Sequence, residues 1–392
     1  MLPFLADHFG NPSSTSHAYG WAARRAVEHA RGEVAALLGA AAAEIIWTSG
    51  ATEGNNLAIK GAARANRRGR AGHLVTFASE HRSVLDAMGA LERSDGFSVT
   101  CLPVTAGGRA DLDQLAEALR PDTVLVSVML VNNEIGVIQP VAEIAALCRE
   151  RGILLHCDAV QAAGKLPIDV GTLGADLLTV TAHKMYGPKG IGALYVKGGS
   201  RLRLEPLIHG GGQEAGLRSG TLAVHQIAGF GEAARIARAE MPADNQRIGR
   251  LRKRLLEQLQ GVAGITLNGD PVERVPHNLN LAFALPPGLS LIDALEDVAV
   301  SSGSACASGA AEPSHVLRAI GCPDELAHNS IRFTLGRQTT EEEIDVAAEA
   351  LKREVARLRA AGSAQGAGVG TGGIPALKAG AGRVTAVPAG KD

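Results

Sequence analysis

The chain has 392 residues, of which 46% are hydrophobic and 3% aromatic, and 39 Lys+Arg residues balance 40 Asp+Glu residues for a net charge of -1. This length is enough for about two domains with a large aliphatic core. The balanced charge, without a basic stripe, argues against nucleic acid as a partner.

The cysteines are odd in number, widely spaced and never arranged as C-x-x-C. This pattern argues against a disulfide framework and against a metal site, and it fits a reducing compartment. The first residues lack the basic region of a signal peptide, and no apolar stretch reaches membrane-spanning length. We therefore expect a soluble cytoplasmic protein with no membrane contact. The five are Cys101, Cys148, Cys157, Cys306 and Cys322.

From Glu44 to about Val196, short β-branched segments alternate with amphipathic ones. Strands are predicted at 73–79, 123–131, 153–160, 176–182 and 192–197. Between them, helical spacing is clearest at 141–148, which begins after a proline and is followed by a glycine. Such alternation predicts an α/β fold with a mostly parallel sheet. The last two strands are joined too closely for a crossover helix, so we expect them to pair antiparallel.

A charged helical stretch from about Asn245 is interpreted as the connector between a large domain, 1–244, and a small domain, 245–360. The small domain contains a predicted strand at 278–284, a helix from Ser290 and a loop of small residues. Its last helix begins with a capping box formed by Thr340 and Glu343. The Gly- and Ala-rich residues 361–392 lack periodicity and predict a disordered tail.

Two candidate catalytic residues lie at the ends of predicted strands. Lys184 closes one strand, where desolvation would lower the pKa of its amine and favour a Schiff base; alternatively, the side chain simply extends to solvent. Asp158 closes another, where its carboxylate needs a cation such as a pyridinium nitrogen, unless it only caps the next helix. Gln161, three residues later, is within reach of a ring hydroxyl.

Two Gly-rich segments are candidate anion sites. SGATEGNN (49–56) follows a strand and opens a helix, so its backbone N–H groups and Thr52 are available to a phosphate, although an ordinary turn has the same pattern. HGGGQEAGLRSGT (209–221) carries Arg218, Ser219 and Thr221. Taken alone, this second segment is better explained as a flexible surface loop.

His81 and Cys306 complete the candidates. His81 follows a strand in SEHRSVLD, where its ring could stack on a flat cofactor or move protons, or could only cap a helix. Cys306 lies in the small-residue loop, which favours an exposed and reactive thiol. The other four cysteines are interpreted as packing residues.

These segments form an ordered set, and from about Phe9 to Leu358 the chain resembles the cysteine desulfurases of the iron–sulfur-cluster and nitrogen-fixation branch of the class V aminotransferase family. The resemblance implies a fold-type I pyridoxal-phosphate transferase with a mostly parallel, seven-stranded mixed sheet and a smaller α+β domain. The matching segments are FGNPSS, TSGATEGNNLAIKGAA, SEHRSVLD, VNNEIGV, HCDAVQAAGKLPID, AHKMYGPKGIGALYV, HGGGQEAGLRSGT, SSGSACASGAAEPSHVLRA and SIRFTLGR.

The resemblance also implies residue roles. Lys184 would bond to pyridoxal 5'-phosphate, Asp158 would hold the ring nitrogen, Gln161 would contact the ring hydroxyl and His81 would stack on the ring. The phosphate would be bound by Ala51, Thr52, Thr181, His183 and, in a homodimer, Thr221 of the partner subunit. Asn133 and Arg332 would bind beside L-cysteine, with Arg332 on its carboxylate.

In the implied reaction, Lys184 removes the Cα proton and the Cys306 thiolate takes the sulfur, which leaves alanine and a persulfide. The persulfide would pass to an iron–sulfur scaffold protein or another acceptor, so that Cys306 would contact a nascent cluster only transiently.

The chain departs from the family pattern in three places. Thr181-Ala182 replaces the usual Ser-Gly before His183-Lys184, and Ala215 replaces a common arginine. The family's N-terminal strand, with its Ala-Thr-Thr turn, has no counterpart before Met1. We therefore expect that the natural product begins upstream and that this chain binds the cofactor weakly.

Two alternatives remain open at this stage. A selenocysteine lyase or another class V lyase would share the cofactor residues but would not need the Cys306 thiol. A non-catalytic sulfur carrier or assembly protein could keep the fold alone. The retention of Lys184, Asp158 and Cys306 argues for the desulfurase.

Overall fold

A computed structural model of the chain describes residues 1–67, 72–302 and 313–367. A seven-stranded sheet has the order β1-β7-β6-β5-β4-β2-β3. Its strands are β1 (Ile45–Thr48), β2 (His73–Phe77), β3 (Ser98–Leu102), β4 (Thr123–Met129), β5 (Leu154–Asp158), β6 (Leu177–Thr181) and β7 (Gly192–Val196).

The pairing confirms the predicted mixed sheet. Strands β3, β2, β4, β5 and β6 are parallel neighbours, whereas β7 pairs antiparallel with both β6 and β1. The five predicted strands are present, each shortened by one or two residues at one end or both. Strands β2 and β4 to β7 are buried along almost their whole length, which explains their continuous β-branched and aliphatic composition.

Helices cover both faces of this sheet. In the predicted helix α7, the four buried residues are Val141, Ile144, Ala145 and Cys148, as the spacing indicated. The helices up to the end of the sheet are α1 (Pro3–Ala6), α2 (Ala18–Leu38), α3 (Ala51–Asn56), α4 (Ala62–Ala65), α5 (Arg82–Asp95), α6 (Leu112–Ala118), α7 (Val141–Glu150) and α8 (Val170–Leu173).

A four-stranded antiparallel sheet of order β10-β11-β9-β8 follows, with β8 (Ile265–Leu267), β9 (Asn278–Phe283), β10 (Ser301–Ser302) and β11 (Ser330–Thr334). The Thr340 and Glu343 capping box is confirmed by reciprocal bonds of 2.9 and 3.2 Å. The helices in this part are α9 (Val224–Gln258), α10 (Leu291–Ala294), α11 (His315–Ala319), α12 (Asp324–His328) and α13 (Glu341–Ala367).

Two predicted boundaries are wrong. The connecting helix α9 begins at Val224 rather than near Asn245, because its first half is apolar and packs Ile227, Phe230 and Ala234 into the large-sheet core. At the C-terminus, α13 continues to Ala367, seven residues into the segment predicted as a tail from 361. Alanine is the strongest helix former, so the helix extends into this composition. Residues 368–392 lie outside the described residues.

Helices α2 and α9 lie in direct contact. A Cβ atom on Gly231 would be 2.5 Å from the Cα atom of Ala30, so only glycine permits this approach. The contact covers the side of the sheet that buries Trp47 against Phe230, whose ring centroids are 5.8 Å apart. Within the described ranges, no helix is long and apolar enough to cross a membrane.

The second Gly-rich segment is tied to this core, contrary to its interpretation as a flexible loop. The Glu214 carboxylate accepts from both Nη atoms of Arg31, at 2.8 and 2.9 Å, and from the backbone N–H of Trp47 at 2.7 Å. Arg218 also donates to the Glu53 carboxylate at 2.9 Å. The segment from 209 to 221 is therefore held in place by two ion pairs.

Removing one partner of the first pair should destabilise the fold. In Glu214→Ala, the Arg31 guanidinium keeps its burial but loses its best partner, so we expect a loss of about 3 kcal/mol in unfolding free energy. Urea denaturation measures this, with Glu232→Ala as the control because Glu232 forms an exposed pair with Arg235. Equal midpoints for the two variants would contradict the structural role of Glu214.

A buried histidine predicts acid sensitivity. His156 lies on β5 between Ser127 Oγ at 2.8 Å and Thr179 Oγ1 at 3.1 Å, and burial lowers its pKa to about 3. Because this folded pKa lies below the unfolded one, its stabilisation is complete above about pH 6.5 and is lost as the pH falls toward 3.

Between pH 7 and pH 5, we expect the free energy of unfolding to fall by about 2 kcal/mol more in the wild type than in His156→Gln. Urea midpoints at both pH values give the comparison. Parallel pH dependence in the two proteins would mean that His156 takes up a proton in the folded state.

Candidate active site

The candidate residues converge at the carboxyl ends of the central strands. Asp158 is the last residue of β5, Thr181 is the last of β6, and Lys184 ends the 3₁₀ turn that follows β6. Ligand sites of open α/β sheets form at this edge. Helix α3 begins beside it, because β1 lies next to β7 in the same sheet.

Asp158 is buried and bound on both carboxylate oxygens. The Val160 N–H donates to Oδ1 at 3.0 Å, and Asn55 Nδ2 donates to Oδ2 at 2.7 Å. Burial raises the pKa of this carboxyl, while the Asn55 and Val160 bonds oppose the rise. Through the Val160 bond, Asp158 caps the turn that follows β5, as the sequence allowed. Through the Asn55 bond, it also connects β5 to α3.

Asn55 is a site residue that the sequence did not reveal. It is fully buried on α3, where its Nδ2 also donates to Ser83 Oγ at 2.9 Å. The available signal was its position three residues after Thr52, in a helix whose other buried residues are small or apolar. A fully buried amide side chain requires partners, which in this fold are Asp158 and Ser83.

The α3 N-terminus lies against the end of β6. Thr48 Oγ1 donates to the Gly50 carbonyl at 3.1 Å, and a Cβ atom built on Gly50 would lie 4.0 Å from Thr181 Oγ1. Thr181 Oγ1 also lies 3.1 Å from His183 Nδ1. The structure therefore brings the N–H groups of Ala51 and Thr52 close to the Thr181 hydroxyl and His183.

The electrostatics around Ala51, Thr52, Thr181 and His183, here called the cup, favour an anion. Burial and the charges of Lys184, Lys189 and Lys165 lower the pKa of His183. Helix N-termini carry partial positive charge as well. The same turn therefore combines hydroxyl, N–H and ammonium donors.

The prediction that Lys184 is desolvated is wrong for the single chain. The strand end at Thr181 is buried, but the turn leads outward and leaves Lys184 exposed. The desolvated amine in this region belongs to Lys165, where burial and the Lys184 charge lower the pKa to about 7. Lys165 Nζ lies 3.5 Å from Gln161 Oε1, so the Gln161 amide group faces this second lysine.

His81 caps α5 and also lines the groove above the site. Its Nδ1 accepts from the Ser83 N–H at 3.1 Å, and a groove of about 340 Å³ is lined by His81 together with Thr52, Asn56 and Ser83. The capping and cofactor-facing interpretations of His81 are therefore compatible.

The two substrate candidates are in contact. Arg332 Nη1 donates to the Asn133 carbonyl at 3.0 Å. Arg332 Nε, Asn133 Oδ1 and Asn55 Oδ1 are buried polar atoms without a hydrogen-bond partner in the described part of the chain. Such atoms are rare in folded proteins, so these residues fit a site that binds a polar group.

Cys306 lies outside the described residues, but both ends of its segment are anchored near Arg332. Before it, Ser301 of β10 pairs with Arg332 of β11. After it, Ser314 donates to the buried Glu134 carboxylate, and His315 Nε2 lies 2.9 Å from the Glu80 carbonyl. Glu80 and Glu134 were not predicted as site residues, although both stand in the matched segments.

Burial raises the pKa of both carboxyls, well above the usual value for Glu80, whose Oε1 accepts from the Met129 N–H at 2.7 Å. The site therefore holds three buried carboxyl groups, those of Asp158, Glu80 and Glu134.

The other cysteines only partly follow their interpretation as packing residues. Cys148 and Cys157 are buried, and burial raises the pKa of Cys148 to about 12. Cys322 is half-buried in its turn. Cys101 is exposed on β3, the edge strand, so its interpretation as a packing residue is wrong.

Comparisons with known proteins identify the family of the chain. The chain is 59% identical over 360 residues to the cysteine desulfurase IscS of Methylococcus capsulatus, which covers 92% of this chain and 89% of the relative. It is 56% identical over 359 residues to the cysteine desulfurase IscS of Dechloromonas aromatica, which covers 92% and 88%.

Among solved structures, a NifS-like protein superposes with a TM-score of 0.83 at 34% identity and covers 91% of this chain and 94% of its own. A structure described as SspA in complex with cysteine gives a TM-score of 0.77 at 38% identity, with coverage of 86% and 94%. Residues 1–346 match the family described as Aminotransferase class-V. The chain belongs to the class-V aminotransferase family.

Proposed function

We propose that this protein is a cytoplasmic cysteine desulfurase that uses pyridoxal 5'-phosphate to convert L-cysteine to L-alanine and carries the sulfur on Cys306. The names of the relatives support the activity. The observation that carries the proposal is the Asp158 carboxylate, buried against Asn55 of α3 with N–H donors on both oxygens. A buried anion at this place matches a cationic ring nitrogen.

The cofactor residues divide by chemistry. The ring would be held by Asp158, His81 and Gln161, with Asn133 beside it, and the phosphate by Ala51, Thr52, Thr181 and His183. Lys184 follows Thr181 and His183 in the same turn and would bond to the cofactor aldehyde. When bound, this cofactor supplies an electron sink at the substrate Cα atom.

The chain's own residues supply the remaining chemistry. Arg332 would fork onto the cysteine carboxylate, which matches a planar guanidinium. The Lys184 amine would take the Cα proton and return a proton to the carbon skeleton. The Cys306 thiolate would attack the cysteine sulfur, so that an S–S bond forms as the C–S bond breaks and its electrons go to the carbon that becomes the alanine methyl group.

The anchors of the Cys306 segment support this delivery. Four residues of extended chain reach about 14 Å, which bounds the distance from Ser302 to Cys306. Ser302 pairs with Ile331, the neighbour of Arg332. This limit supports delivery of the Cys306 thiol to a substrate bound at Arg332. An iron–sulfur scaffold protein or another thiol acceptor would then receive the persulfide.

The two substitutions that depart from the family pattern, at Thr181 and Ala215, are compatible with this assignment. Thr181 keeps the hydroxyl of the usual serine in the cup, and its extra methyl group is accommodated in the buried strand end. Ala215, at the usual arginine position, is exposed with a φ of 56°. The loop is instead held by its neighbour Glu214 and by Arg218.

Lys184 should carry the cofactor. Borohydride reduction of the yellow protein, followed by peptide mapping, is expected to place the pyridoxyl group on Lys184 rather than on the desolvated Lys165. Lys165→Arg serves as the control and should keep the label on Lys184. A pyridoxyl group found on Lys165 would overturn the assignment.

Cys306→Ala should separate desulfurase from selenocysteine lyase. The variant is expected to bind the cofactor and to show the early colour change with cysteine, but to lose alanine and sulfide production by at least about 100-fold, because no thiol attacks the sulfur. Cys101→Ala removes the exposed thiol on β3 and should retain full turnover. Near-normal turnover in Cys306→Ala would favour the lyase, and absence of any colour change in the wild type would favour a non-catalytic carrier.

We also propose a homodimer, because the family resemblance assigns Thr221 to the phosphate of the partner subunit, and Thr221 is exposed in the single chain. Sedimentation of the cofactor-loaded protein should give twice the chain mass. An active monomer would contradict this proposal.

A further inference from the structure

Four side chains form a continuous hydrogen-bonded series beside the groove. Asn55 Nδ2 lies 2.7 Å from Asp158 Oδ2 and 2.9 Å from Ser83 Oγ. Ser83 Oγ lies 2.8 Å from His81 Nδ1, and the Ser83 backbone N–H donates to the same nitrogen at 3.1 Å. Asp158, Asn55 and Ser83 are all buried, so water does not compete with these bonds.

The donor directions in this series are fixed from the Asp158 end. An ionised carboxylate only accepts, so the Asn55 atom beside it is the NH₂ group and not the carbonyl oxygen. The second N–H of the same group then donates to Ser83 Oγ. The Ser83 oxygen accepts this bond, which leaves its own proton to donate to His81 Nδ1.

His81 Nδ1 thus receives two donors, the Ser83 hydroxyl and the Ser83 backbone N–H. A ring nitrogen that accepts hydrogen bonds carries no proton, and the proton of a neutral imidazole must then be on the other nitrogen. We infer that Asn55, acting through Ser83, holds His81 as the tautomer with its proton on Nε2. Asn55 and Ser83 are therefore positioning residues.

The consequence for the reaction rests on the proposed function. A neutral His81 with the proton on Nε2 presents a donor rather than an acceptor to whatever lies in the groove. Its Nε2–H would donate a hydrogen bond to negative charge that develops on the substrate, without giving up the proton, while the Lys184 amine takes the Cα proton. Asp158 would thus bind the cofactor ring nitrogen and, through Asn55 and Ser83, also determine which nitrogen of His81 carries the proton.

The test is the tautomer itself, measured by long-range ¹H–¹⁵N correlation spectra on protein labelled with ¹⁵N-histidine, with and without cofactor. The His81 signals are identified by their loss in His81→Gln. We expect the wild type to show the proton on Nε2. In Ser83→Ala and Asn55→Leu, the ratio of Nε2–H to Nδ1–H should fall about fivefold, as expected for the loss of one hydrogen bond.

Two controls belong to the same experiment. Ser83→Thr keeps the hydroxyl and should restore the wild-type ratio. His17 caps α2 by accepting the Gly20 N–H at Nδ1, at 3.2 Å, without an Asn–Ser series, so its tautomer should not change in any variant. A merely structural role of Ser83 would not produce a shift confined to His81.

Steady-state kinetics provide the second readout. We expect Ser83→Ala to lower kcat while the KM for cysteine stays near the wild-type value, and Ser83→Thr to restore kcat. A wild-type His81 with its proton on Nδ1, or an unchanged ratio in both variants, would overturn the inference. A wild type that lacks desulfurase activity but shows the expected tautomers would instead overturn the proposed function.

Discussion

The burial of the Asp158 carboxylate is the constraint on which the site depends. A carboxylate at the end of a buried parallel strand is costly unless its oxygens are bound, and here each oxygen receives one N–H donor. One donor is the backbone of its own turn, and the other is a side chain on α3. The second bond fixes the position of α3 relative to β5, and therefore the position of the helix N-terminus beside Thr181.

The mixed pairing of the sheet also brings the α3 N-terminus close to the end of β6. Because β7 returns antiparallel between β6 and β1, the chain segments after β1 and β6 reach the same edge of the sheet. The backbones of Gly192 and Gly50 can approach each other because Gly192 has no side chain: a Cβ atom there would lie 2.8 Å from the backbone of Gly50. The short connection from 182 to 191, which predicted the antiparallel pair, is thus also the reason that Thr181 lies near Ala51.

The sequence predicted the strands that are buried along almost their whole length. It did not predict which way a turn leads after a strand or which distant residues a buried side chain contacts. The strands at 123–131, 153–160 and 176–182 were recognisable because both of their faces are buried, and Asp158 stood out because a charge interrupts that pattern. The exposure of Lys184 was not predictable, since the turn after a strand can lead into the core or out of it. Asn55 was not predictable either, because one amide in a small-residue helix has no periodic signal until its partners on β5 and α5 are known.

The family resemblance carried the assignment of roles, and the structure supplied the physical relations among them. The first half of α9 was missed for an instructive reason: its apolar residues match a surface that α2 provides, and no local cap marks Val224. The relation between Glu134 and Ser314 is of the same kind, since 180 residues separate the two partners of one hydrogen bond.

The described residues on either side of 303–312 are fixed by contacts with two different parts of the fold. On one side, Ser302 belongs to the small antiparallel sheet. On the other side, α11 packs Val316 and Leu317 against Ile135 and Val137, which follow β4 of the large sheet. From Ser302, four residues of extended chain limit the Cα atom of Cys306 to a distance of about 14 Å. If Cys306 carries the sulfur as proposed, an acceptor has to bring its receiving atom within reach of that residue, so the shape of the acceptor near Ser302 limits which acceptors can be served.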